Sequence, residues 1–195
     1  MTDIIINTHR LVLKGVSPQM IHELFLTKTK DEIKACLGAE EQEYERFKSM
    51  HEKGMETESF SMLFFLLIEK TSNLPIGRCG FHTWNRRHKR TELFYLLTYD
   101  IYKRKGLMTE ALAPVLRYAF EQMDIHRIEA LVANWNTPSL SLLKRYGFSF
   151  EGTRREDYVV DGKSENSDCY SLLKHEWQAR EQQAAVRTDI ANETA

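Results

Sequence analysis

The spacing of apolar residues changes period several times along the chain, and each change predicts an element. In His9–Val16, "HRLVLKGV", the apolar positions Leu11, Leu13 and Val16 give a first strand. "SPQMIHELF" follows as a helix: Ser17 can cap it, Pro18 suits its first position, and Met20, Ile21, Leu24 and Phe25 share one face. From Asp31 to Met55 the chain is charged and helix-compatible, with Ile33, Leu37, Tyr44 and Phe47 as a sparse apolar stripe. "SFSMLFFLLIEK" reads as a buried strand and "SNLP" as a turn. "IGRCGFHTW" and "TELFYLLTY" predict two more strands, joined by the polar turn "NRRHKR". The cleanest helical period runs through Leu107, Met108, Ala111, Leu112, Val115, Leu116, Ala119, Phe120 and Met123. Pro114 lies inside it, removes one backbone bond, and costs up to ~3 kcal/mol unless packing compensates.

Farther on, His126–Ala133 predicts a strand, and "NTPSLSLLKRYG" a short helix. Asn136 or Thr137 would cap that helix, Pro138 occupy its first position, and Gly147 end it. "FSFEGTRREDYVVDG" and "DCYSLLKHEW" form a last hairpin. Beyond Trp177 the chain is polar, a frayed helix or a tail. The expected class is α/β (α+β in its segregation of elements): a mixed sheet with helices on both faces, in one domain over 1–177 with a polar tail over 178–195.

Composition narrows the chemistry. Among 195 residues, 27 basic and 28 acidic side chains nearly cancel, so no global field points at nucleic acid or a membrane surface. Any anion site must be built locally. Three scattered cysteines with no CxxC pair suggest neither a metal site nor a disulfide framework, and a reducing compartment follows. The start lacks an apolar h-region, and the longest apolar run, "MLFFLLI", is strand-sized. The expectation is a cytoplasmic protein, monomer or homodimer, without metal, membrane or direct nucleic-acid partner.

"YKRKGLMTEAL", Tyr102–Leu112, carries the candidate chemistry. A strand passing through a short turn into a helix presents unpaired N–H groups and the positive end of the helix dipole. Gly106 permits close backbone approach, and Lys103, Arg104 and Lys105 add charge. This suits a pyrophosphate; a merely solvated basic turn fits the local pattern equally well. Neither GxxxxGK[ST] nor GxGxxG occurs.

The same stretch, followed by "YAFEQMDIHRIEALVANWNTPSLSLLKRYGFSFEGTRRE", resembles the GNAT superfamily of acetyl-CoA-dependent N-acetyltransferases. It looks closest to the Rim-type branch, whose named members acetylate ribosomal-protein N-termini. In that family a Q/R-x-x-G-x-G/A turn holds the coenzyme A pyrophosphate on its amides. Here it corresponds to Lys103, Arg104, Lys105, Gly106, Leu107 and Met108, with Thr109 next. Gly106 is kept; Lys103 and Met108 depart from the pattern. "THRLVLK", "CGFHTW…TELFYLL" and "CYSLLKHEW" resemble the family's first, third and fourth, and closing strands, so the resemblance runs from about residue 8 to Trp177. It implies a mostly antiparallel seven-stranded sheet splayed between strands four and five. Pantetheine would pair with the fourth-strand backbone around Leu96, Leu97 and Thr98. Asn136 matches the family's asparagine near the thioester, and Ser139 a frequent Rim-type serine.

The resemblance also assigns roles. The tyrosine that many relatives use to protonate the leaving thiolate is replaced by Leu143, and Tyr146 lies one turn on. Ser139 is the available hydroxyl, or else a first-turn cap. Glu92 matches an acidic position suited to a general base, with a surface pairing to Arg90 or Lys89 as the alternative. His82, on the neighbouring strand, is a second candidate base. Cys79 reads as a small buried residue, and "NRRHKR" as a solvated hairpin tip or an attractor of acidic acceptors. The implied function is acetyl transfer to a primary amine, preferably a protein N-terminus, by direct attack. A small-molecule amine is an alternative acceptor. A non-catalytic acyl-CoA sensor is the competing class, and nucleotide or RNA binding a weaker third.

Overall fold

The structure is a computed structural model and describes residues 4–193, with side chains through Val186. The extreme ends of the sequence, including the last two residues of the expected tail, lie outside the described residues. The chain divides into two compact units, Met1–Asp124 and Ile125–Ala195.

In the first unit, five antiparallel strands lie in the order β1(Ile5–Asn7), β2(Leu11–Val16), β3(Phe60–Glu69), β4(Pro75–Asn85), β5(Arg90–Leu97). The expected first strand therefore starts two residues late. Ile5–Asn7 adds an edge strand paired to Val12–Lys14, so the described chain has eight strands instead of seven. Between β2 and β3 come α1(Pro18–Thr27), α2(Lys30–Leu37) and α3(Glu41–Lys53). Ser17 caps α1, and Thr29 with Glu32 makes a reciprocal capping box on α2. The charged stretch breaks into two helices at Gly38, whose left-handed backbone ends α2.

The sheet alternation sorts the core. Phe64 and Leu66 face α1–α3 and pack with Ile33, Leu37, Tyr44 and Phe47, the stripe seen in the sequence. Phe65 points the other way, edge-on to Tyr118 of α4(Leu107–Glu121). With both faces covered, β3 is a continuous apolar run. Leu107, Ala111, Leu112, Val115, Leu116, Ala119 and Phe120 are the buried face of α4. Pro114 leaves the Glu110 carbonyl without its intrahelical donor.

In the second unit, β6(Arg127–Val132), β8(Lys163–Leu173) and β7(Ser149–Val160) are antiparallel, with β8 in the middle. α5(Thr137–Arg145) connects β6 to β7 and α6(Lys174–Glu193) follows β8, so a helix occupies the polar segment after Trp177. Six α-helices lie among the described residues. Arg127 makes two bonds to Glu151, at 2.7 and 2.6 Å, and Ser171 donates to the same carboxylate at 2.7 Å. The Arg127 bond, with that of Ser171, holds the Glu151 carboxyl down at about 2.

Candidate active site

Two regions of the first unit carry chemistry. The first follows β5, where a single 3-10 turn, Asp100–Tyr102, leads into Lys103–Gly106 and then α4. Arg104 and Gly106 take left-handed backbone, with φ of 60° and 73°. Chains that alternate hand in this way form concave nests of N–H groups that bind anions. Among the described residues, the N–H groups of Arg104, Lys105, Gly106, Leu107 and Met108 make no backbone hydrogen bond. A Cβ at Gly106 would meet nothing closer than Arg10 Nη2 at 3.7 Å. The left-handed conformation therefore calls for glycine here, since any other L-residue costs about 1–2 kcal/mol.

The loop is held from behind. Arg10, just before β2, donates from Nη1 to the Lys105 carbonyl at 2.8 Å. Its Nε binds Glu110 Oε2 at 2.7 Å, and its backbone N–H binds Glu110 Oε1 at 2.6 Å. Thr8 adds a hydroxyl to the same Oε1 at 2.6 Å. Burial opposes ionisation of Glu110, but these donors outweigh it and hold the carboxyl at about 2. A planar trans peptide points its C=O and N–H in opposite directions. Tethering the Lys105 carbonyl to Arg10 thus aims the Gly106 N–H away from Arg10. The basic flank contributes less than its composition suggests, because the Lys103 ammonium is engaged by Asp100 at 2.6 Å. Lys105 lies over the Tyr102 ring at 6.0 Å. Leu107 is buried, and Met108 and Thr109 are half-buried. Clustered backbone donors, a glycine turn and nearby cations fit a pyrophosphate.

The second region is a pocket of about 310 Å³ on the α3 face of the sheet. The β4–β5 register places Arg78 opposite Leu96, Gly80 opposite Phe94 and His82 opposite Glu92. Alternation then puts all six on one face. At Gly80 a Cβ would lie 2.3 Å from Phe64 Cα, so glycine lets β3 and β4 close together beneath the pocket. The rings of Phe64 and Phe94 are 6.2 Å apart, and Phe47 of α3 stacks on Phe64 at 6.0 Å. Met50 and Met62 complete the apolar wall. Arg78, 8% exposed, is ion-paired with Glu43 and lies over Phe47.

His82 stacks on Phe94 with ring centroids 5.5 Å apart, and its Nε2 is 3.6 Å from Glu92 Oε1. The two candidate bases are therefore brought together. Lys89, offered as a surface partner for Glu92, pairs with Asp124 at 2.6 Å instead. Leu96 and Leu97 end β5, and the Thr98 N–H donates to the Ile76 carbonyl at 2.9 Å. Cys79 is fully buried, which pushes its thiol pKa up and keeps it protonated.

In the second unit, Asn136 rather than Thr137 caps α5, accepting the Ser139 N–H at 3.3 Å. Pro138 is accordingly the second helical residue. Ser139 is half-buried, Leu143 buried, and Tyr146 forms the C-terminal cap of α5. Among the described residues, no group of three His, Cys, Asp or Glu could hold a metal, and no helix is long and apolar enough to cross a membrane.

The family model described as "Acetyltransferase (GNAT) domain" matches residues 10–149, a span that includes the glycine loop, the β4–β5 face and Asn136. The chain belongs to the GNAT acetyltransferase family. It is an acetyl-CoA-dependent N-acetyltransferase with the α/β GNAT fold. Among GNAT proteins it is 29% identical over 177 residues to the Bacillus subtilis "Uncharacterized N-acetyltransferase YoaA", covering 87% of this chain and 97% of that protein. It is 30% identical over 102 residues to the B. subtilis "Putative ribosomal N-acetyltransferase YdaF", covering 52% of this chain and 55% of that one. The crystal structure of the Vibrio cholerae spermidine/spermine N-acetyltransferase SpeG superposes with a TM-score of 0.65 at 19% identity, over 88% of this chain and 96% of that one, a likeness of fold.

Residue-by-residue sequence reasoning missed Thr8, Arg10 and Glu110, because their partnership spans about a hundred positions. It also missed the α3 wall, Phe47 excepted, since helical charge patterning gives no sign that Glu43 and Arg46 border a pocket.

Proposed function

We propose that this GNAT enzyme acetylates the amino terminus of a peptide or protein, with the amine attacking the thioester directly. The observation that carries the reading is the His82–Glu92 pair, 3.6 Å apart, whose His82 lines the pocket on the α3 face. A chain terminus arrives as an ammonium ion, and a histidine–carboxylate pair is suited to take its proton, directly or through water. Bound acetyl-CoA supplies the activated acyl group. The loop amides of Gly106, Leu107 and Met108, with Lys103, Arg104, Lys105 and Thr109 around them, hold its pyrophosphate. The β5 end at Leu96–Thr98 serves the pantetheine arm. In the second unit, Asn136 and the Ser139 hydroxyl keep the roles that the family resemblance assigns them, Asn136 for the pantetheine and Ser139 as a proton or hydrogen-bond donor to the departing sulfur.

The name of the relative YdaF supports a peptide acceptor. The name of the structural neighbour SpeG favours a second reading, a small-molecule amine. Thiol release from acetyl-CoA, followed over N-terminal peptides and small amines, separates them. Peptides outpacing every small amine is the expected result, and the reverse order sinks the peptide reading. Ser139→Ala is expected to lower kcat about tenfold with acetyl-CoA affinity unchanged. A wild-type kcat would leave Ser139 as a first-turn residue of α5 with no part in the chemistry.

A further inference from the structure

The pocket walls say what kind of amine they fit. Their surface is largely aromatic and thioether: Phe47, Phe64 and Phe94 with Met50 and Met62. Methionine beside aromatic rings makes a polarizable, adaptable surface that receives bulky apolar groups. The charges do not suit a polycation. The bordering acid, Glu43, is already paired with the buried Arg78. The remaining charged rim residue, Arg46, is a cation exposed on α3. His82 lines the pocket, and the carboxylate beside it, Glu92, lies 3.6 Å from its Nε2.

We propose that the acceptor presents its amine beside a large apolar or aromatic group and carries no second cationic centre nearby. On the acetyl-transfer reading above, a polyamine would place further ammonium groups along walls whose bordering acid, Glu43, is already paired with Arg78, with Arg46 opposing them. A small first residue such as Ser or Ala would leave the aromatic floor uncovered. The apolar group can be the first side chain of a peptide or the body of a free arylalkylamine, and the assay separates these sources.

The test uses the full chain with acetyl-CoA and five acceptors. These are otherwise identical peptides starting with Phe, Met or Ser, together with 2-phenylethylamine and spermidine. The Phe and Met peptides are expected to exceed the Ser peptide and spermidine in kcat/KM by about tenfold or more, the discrimination a hydrophobic pocket gives for several carbons. Phenylethylamine matching the Phe peptide would assign the free amine as the source. Phenylethylamine reacting poorly would assign the peptide. Either result supports the proposal, provided the Ser peptide and spermidine are slow. Spermidine or the Ser peptide reacting as fast as the Phe peptide overturns it while leaving acetyl transfer intact. No transfer to any of the five, with acetyl-CoA bound, overturns it together with the reading it rests on. Arg46→Glu, at an exposed position, is expected to raise the spermidine-to-Phe-peptide ratio of kcat/KM at least about threefold, since a rim cation becomes an anion. An unchanged ratio would count against electrostatic exclusion of polycations.

Discussion

The glycine loop proposed for the coenzyme and the pocket proposed for the acceptor belong to the same unit yet are built on opposite principles. The loop offers backbone: two left-handed residues, a run of N–H donors, and one carbonyl tied down by Arg10. The pocket offers side chains from α3, β3, β4 and β5, with aromatic rings as its floor and a paired charge at its edge. A backbone site tolerates varied flanking residues as long as its conformation holds. A side-chain site changes character with single substitutions. Within one family, coenzyme recognition is therefore expected to stay fixed while acceptor choice drifts.

The sharpest way to break this contrast is Gly106→Glu. It forces a β-carbon onto a left-handed residue and places an anion where an anion should bind. Acetyl-CoA affinity measured by calorimetry is expected to fall by at least about a hundredfold, while the helical circular dichroism is kept. Affinity within a factor of two of wild type would remove the loop from coenzyme binding. Next in size, Glu92→Gln takes the carboxylate away from His82. A fall in kcat of about a hundredfold, with acetyl-CoA affinity unchanged, is expected if the pair takes the acceptor proton. A loss confined to affinity would move Glu92 out of the chemistry.

Glu110→Gln probes the support rather than the site. Losing charged hydrogen bonds at a partly buried carboxylate is expected to destabilise by about 2 kcal/mol and to weaken acetyl-CoA binding several-fold. The pH dependence follows in sign. The folded carboxyl is held at about 2, below its unfolded value, so its contribution is full above the ordinary glutamate range. That contribution is lost as pH falls toward 2, and thermal melts between pH 5 and 3 should show wild type and variant converging. Parallel curves would show that the Glu110 charge does not hold Thr8 and Arg10 in place. The smallest change belongs to Lys105→Ala. If backbone carries the site, affinity should weaken only about two- to fivefold and lose some salt dependence, as for an exposed charge worth under about 1 kcal/mol. A hundredfold loss would make the loop a charge site after all.

The same contrast explains what could be read in the sequence. Gly106, the basic flank and the following helix are contiguous, so the loop shows in eleven letters. The α4 stripe and the Ile33, Leu37, Tyr44, Phe47 stripe were legible because helical period alone reports a buried face. His82 and Glu92 could be named singly, but their pairing depends on the register across a bulged hairpin, which no local pattern specifies. The edge strand Ile5–Asn7 was hidden because three residues carry too little alternation to register. Arg10 looked like an ordinary polar residue at a strand start. Its role exists only where two distant segments meet.

That meeting bears on how the molecule tolerates shortening. Thr8 and Arg10 precede the first long strand, in a stretch commonly trimmed or fused to a tag when an expression clone is laid out. Beginning the chain at Leu11 would keep every strand from β2 onward and all of α4, yet it would cut the ties to Glu110 and Lys105. Such a protein is expected to look folded by its helix signal and weak in coenzyme affinity, a defect easily blamed on the loop rather than on its missing anchor.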